Sequence, residues 1–113
     1  TYLANRLHEV PVWVIPCMEG RMGEGSPSFM QASLWGSIMP AVWSFMLAAR
    51  ERALGTVWTT LHLPQEQEAA ELLGIPFDSV TQVGLIPVAY TSGTDFKAAS
   101  RVSAADRTHW DQW

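Results

Sequence analysis

Trp58-Thr59-Thr60 sits inside the run GTVWTTLHL (55–63) and is the segment best suited to meet a ligand. Two consecutive threonines at a strand's end place hydroxyls and backbone N–H groups side by side. With an indole beside them, they suit a planar polar ligand. Ordinary strand threonine explains the same pair, because β-branched residues favour strands in any case. Arg101 is the second candidate. It follows a loop that holds the only lysine, Lys97. A guanidinium there can hold a phosphate bidentately, and it can equally be a solvated charge.

Other chemistries have less to stand on. His8, His62, His109 and Cys17 are far apart and none stand at ligand spacing, so no metal site is expected. There is no G-x-S-x-G elbow for a hydrolytic serine. The glycine-rich GRMGEG (20–25) follows a strand but lacks the G-x-G-x-x-G spacing and reads as a plain loop. No catalytic side chain is assigned.

The chain has 113 residues, a net charge of -4 and seven basic against eleven acidic side chains. That length allows one domain with a real core. The scattered basic residues form no patch for a nucleic-acid backbone. A single cysteine excludes an internal disulfide and fits a reducing compartment, and no secretion signal opens the chain, so a cytoplasmic protein is expected. The amphipathic TYLANRLHEV enters as though mid-domain. Six tryptophans supply more apolar surface than one small core needs, which points to a partner or a planar ligand.

The elements that must position these residues follow from pattern. EVPVWVIPCM (9–18) predicts a short buried strand, and 19–28 a loop. Ser26-Pro27 predicts a helix start, with Ser33 a second candidate cap, and the helix runs to about Ala53. Gly55 is expected just past its end as the left-handed residue, with Arg50 and Arg52 in the last turn. Leu34, Ile38, Val42, Phe45, Met46 and Ala49 form one apolar stripe and Trp35, Met39 and Trp43 another, predicting burial on most sides. Pro40 predicts a kink or break. Residues 55–63 predict a strand and 64–74 a second helix, opened by Pro64 and closed by Gly74. Residues 80–90 predict a third strand, which Pro87 places near an edge or a bulge. The class is α+β or α/β.

Phe29 to Ala49 is long enough to cross a bilayer. Gln31, Ser33 and Ser37 dilute it, Gly36 and Pro40 interrupt it, and it runs straight into a cap and a strand. The expectation is a buried helix, with no membrane.

In order and spacing, EVPVWVIPC, SLWGSIMPAVWSFMLAARERALGTVWTT, EAAELLGIP, LIPVAYTSGTDFKAASR and HWDQW resemble the C-terminal half of the nitroreductase family, FMN-dependent NAD(P)H oxidoreductases. The resemblance implies an α+β fold, a nitroreductase-like α-β-α sandwich of which 1–113 supplies the long central helix and three strands. It implies an intertwined homodimer with FMN at the interface and a tail, 102–113, reaching over the partner. Trp58, Thr59 and Thr60 would then contact the isoalloxazine ring, and Arg101 would hold the FMN phosphate. The implied reaction passes hydride from NAD(P)H through flavin to a small electron-poor acceptor such as a nitroaromatic or quinone. The family's Arg-x-Ser-x-Arg motif does not occur in the chain. The expectation is therefore the C-terminal part of a longer enzyme, or a truncated relative that dimerises or binds flavin without turnover.

Overall fold

The computed structural model describes residues 2–23 and 25–113; Glu24, inside the loop expected over 19–28, lies outside them. In chain order the elements are α1 (Tyr2–Arg6), β1 (Val12–Val14), β2 (Cys17–Glu19), α2 (Ser28–Glu51), β3 (Leu54–Thr56), α3 (Glu66–Leu73), β4 (Val80–Gln82) and β5 (Ile86–Tyr90). Helix and sheet are mixed, as the class predicted. The three expected strands are five short ones in two antiparallel sheets, β1-β5-β3 and β2-β4.

The division comes from a single irregularity. Residues 12–19 run antiparallel to 80–88, with Val14 opposite Ile86 and Cys17 opposite Gln82. Between those pairs lie Ile15 and Pro16 on one side and Val83, Gly84 and Leu85 on the other. One extra residue on one strand of an antiparallel pair is a β-bulge, which bends its strand and frees a backbone group for other use. Val83 still donates to the Pro16 carbonyl at 2.9 Å, but Leu85 turns away to pair with Thr59. Pro87 was expected at an edge or bulge. The bulge lies two residues before it, whereas β5 itself is the central strand. Its ladder to β3 begins at Val88, so the donor that Pro87 lacks falls outside that ladder.

Helix α2 runs without a break through Pro40. It starts one residue late: Pro27 is the N-cap, and the Ser26 hydroxyl donates to the Gly23 carbonyl at 2.7 Å instead of capping. Ser33 lies inside the helix. At the other end, Ala53 and not Gly55 takes the left-handed conformation, with φ 59°. The Ala53 carbonyl is held by the N–H and hydroxyl of Thr91, both at 3.3 Å, which offsets the ~1 kcal/mol that such a φ costs a residue with a Cβ. Gly55 is inside β3 for a different reason: a Cβ there would meet Thr91 Cγ2 at 2.9 Å. Arg52 does cap the last turn, donating to the Ala48 carbonyl at 3.1 Å. In α3 the Gly74 stop is borne out at φ 70°, while Pro64 belongs to a preceding 3₁₀ turn, Leu63–Gln65.

The core is small. Val42 from α2 meets Ile86 and Val88 from β5, with Val14, Ile38, Met46, Leu54 and Trp58 packed around them. Burial of α2 on most sides does not hold within one chain. Only Val42 and Ala49 of its 24 residues are buried, because the helix rests on a sheet from one side and none of the described residues covers the other. Strand β1 is likewise half-open: Val12 and Trp13 are exposed where a buried strand was expected.

Candidate functional site

Trp58, Thr59 and Thr60 leave the sheet after β3 and are caught by the bulge. Thr59 donates its N–H to the Leu85 carbonyl at 3.0 Å and accepts from the Leu85 N–H at 2.8 Å. Its hydroxyl donates to the same Leu85 carbonyl at 2.8 Å. Both backbone groups and the hydroxyl proton are thus committed within the fold, leaving hydroxyl lone pairs to accept. Trp58 is half-buried against the core cluster. Thr60 is exposed; its carbonyl accepts from Leu63 N–H at 3.1 Å, and neither its N–H nor its hydroxyl has a partner among the described residues.

A buried polar network lies directly behind this segment. Gln82 is 2% exposed. Its side-chain amide donates to the Glu66 carbonyl at 3.0 Å, its backbone N–H to Glu66 Oε1 at 2.8 Å, and its Oε1 faces His62 Nε2 at 3.0 Å. Since the amide nitrogen faces a carbonyl, Oε1 faces the imidazole, and His62 must carry its proton on Nε2. The other ring nitrogen, Nδ1, is buried without a partner. Glu66 also takes a two-pronged contact from Arg21, at 2.8 and 3.1 Å. Arg21 in turn donates to the carbonyls of Phe77 (2.6 Å) and Val80 (3.2 Å), with its guanidinium 3.7 Å above the Phe77 ring.

Sequence reasoning missed this network. Arg21 falls in the glycine-rich GRMGEG loop and Glu66 in the helix expected over 64–74. Their pairing spans 45 residues and leaves no local signal. Cys17, an exposed residue on the strand paired with Gln82, feels the same cluster: partial desolvation of the thiol first, and then the Glu66 charge, push it above the ordinary range.

Arg101 is exposed, and among the described residues its guanidinium donates only to the neighbouring Ser100 carbonyl, at 3.0 Å. No hydrogen bond joins it to Trp58–Thr60 among those residues. The rest of the tail is exposed too, organised only by a 3₁₀ turn, Ala104–Arg107, and a His109–Trp113 stack at 4.7 Å. No cluster of metal-binding side chains occurs among the described residues.

The nitroreductase family model matches residues 1–90, and the chain belongs to that family. Its members generally bind flavin and act as oxidoreductases. The matched region includes Trp58, Thr59 and Thr60 and stops short of Arg101. No curated protein and no solved structure matches the chain.

Proposed function

We propose that the chain is the C-terminal part of an FMN-dependent oxidoreductase that carries hydride from NAD(P)H to a small electron-poor acceptor such as a nitroaromatic or quinone. In this reading it works as a cytoplasmic homodimer, away from membrane and nucleic acid, and adopts the α-β-α sandwich of its family. The observation that carries the proposal is the family match across the segment where Thr60 keeps an N–H and a hydroxyl without a partner among the described residues.

The residues present fit the ring end of the cofactor. Trp58 offers a half-buried apolar face, Thr60 an N–H and a hydroxyl, and Thr59 hydroxyl lone pairs held in place by Leu85. When bound, the flavin supplies the hydride chemistry, and the protein's share is orientation and hydrogen bonding. With a flavin bound, Trp58 would shield it from water, Thr60 would offer its N–H and hydroxyl as donors, and Thr59 would offer its hydroxyl lone pairs. None of these residues needs to gain or lose a proton. Arg101, which has no carboxylate partner among the described residues, would serve the phosphate.

The test is to titrate FMN into the purified chain and follow flavin absorbance, then add NAD(P)H with a nitroaromatic. A yellow complex that oxidises the nicotinamide supports the proposal. In that complex Arg101→Ala weakens flavin binding on the order of tenfold, the loss of one charged contact; unchanged affinity removes Arg101 from the phosphate. A colourless, inactive dimer after FMN addition supports the second reading, a dimerising fragment without turnover.

A further inference from the structure

We infer that Gly84, at the centre of the Val83–Leu85 bulge, is a positioning residue for the Trp58–Thr60 segment; this rests on the flavin reading above. Three observations meet at this point. The bulge supplies an extra residue, which lets Leu85 leave β1 and pair with Thr59 through two backbone bonds and a hydroxyl. One residue before the bulge, Gln82 holds His62, so the 58–62 segment is fastened to 82–85 at both ends. Between those fastenings Gly84 lies against Trp58 and Thr59. A Cβ there would stand 3.0 Å from Trp58 Nε1, 3.4 Å from Trp58 Cε2 and 3.0 Å from the Thr59 carbonyl oxygen.

Gly84 is not among the glycines with positive φ, so its backbone conformation is open to alanine. What excludes a side chain is the indole and the carbonyl on the far side. With alanine at 84, the indole and the Thr59 carbonyl must each give by a few tenths of an ångström. The carbonyl is tethered by Leu85 N–H at 2.8 Å, whereas Trp58 is only half-buried, so the indole yields. Gly84 thereby sets how far the aromatic face projects toward a ligand, without touching that ligand itself. Bulges recur beside active sites for this purpose, re-aiming a neighbouring segment.

The test uses Gly84→Ala, Trp58→Phe and the double variant of the complete chain. In the flavin-free proteins, Gly84→Ala is expected to change the near-ultraviolet circular dichroism of the indoles, and to do so far less in the Trp58→Phe background. In the flavin-bound proteins, Gly84→Ala is expected to weaken FMN on the order of tenfold, a misplacement effect, and to add little once the indole is gone. Equal changes in both backgrounds, or none in either, overturn the inference. If the unaltered chain takes up no FMN, the flavin reading fails by itself. The dichroism comparison then decides alone whether Gly84 positions Trp58.

Discussion

Two regions of this small protein handle their exposed chemistry in opposite ways. Around β2, β4 and α3, polar groups that would be costly to bury are joined to one another: Arg21 to Glu66, Glu66 to Gln82, Gln82 to His62. Around α2 and β1, apolar groups face outward. Met39, Trp43 and Leu47 stand four residues apart on one side of the helix and are all exposed. A groove of about 590 Å³ opens between Val12, Val14, Phe45, Ala49, Val88 and Tyr90. Hydrogen bonds are satisfied pairwise and can close within a short segment. Apolar burial scales with area, and one sheet cannot cover both sides of a 24-residue helix. The polar region closes on itself except at His62 Nδ1, whereas α2 leaves most of its surface exposed.

The comparison is broken most sharply at the few apolar residues that the chain does bury. Ile86 has no exposed surface and joins α2 to the sheet. Ile86→Ala is expected to cost about 3 kcal/mol, read as a lowered urea midpoint. A loss below ~1 kcal/mol would mean that the apolar core holds little of the fold. Next is Glu66, whose Oε1 serves both Arg21 and the Gln82 N–H. Arg21 and Glu66 side chains are 24% and 17% exposed, so solvent screens them incompletely. Glu66→Ala leaves a guanidinium and a buried N–H without their partner and is expected to cost about 2 kcal/mol by the same measurement. Indifference to this change would remove the polar network from the account of stability.

Local structure was legible in part. Gly74 stops α3, and Ser26-Pro27 with a run to about Ala53 gives α2 to within two residues at each end, whereas the single-residue signals at Ser26, Pro64 and Gly55 did not hold. Pairing across the chain was not legible. The bulge at Val83–Leu85 exists only as a mismatch between two registers, 12–14 with 86–88 and 17–19 with 80–82. Either strand alone reads as continuous. Gly55 and Ala53 exchanged roles for the same reason, since Thr91, 38 residues away, both holds the Ala53 carbonyl and excludes a side chain at 55. Of the candidate site, the tripeptide Trp58-Thr59-Thr60 was visible as a type of surface. That Thr59 is spent on Leu85 while Thr60 is free was not, because it depends on that unseen bulge.

The open region yields a prediction about assembly. Trp43 is 58% exposed, so replacing it touches little of the monomer's own packing. Trp43→Arg is expected to shift the monomer's stability within about 0.5 kcal/mol. If a second copy covers this stripe, the unaltered chain's urea midpoint rises with protein concentration and that of Trp43→Arg does not. Sedimentation that shows both proteins monomeric would leave the homodimer without its helix interface.

The smallest effect sharpens the polar side. Burial and the Glu66 charge both raise the Cys17 thiol, so the folded chain resists ionisation that the unfolded chain permits. As pH rises through the ordinary thiol range, the unfolded state releases its proton first, and the stability contributed by the neutral thiol is lost. Alkylation by iodoacetamide reads the thiolate directly. Its rate in the native protein is expected to rise at higher pH than in the urea-unfolded chain. Glu66→Gln should move that profile only part of the way back, since burial is the larger cause and survives the change. A full return would make the carboxylate dominant, and no movement would place Cys17 beyond the electrostatic reach of the network.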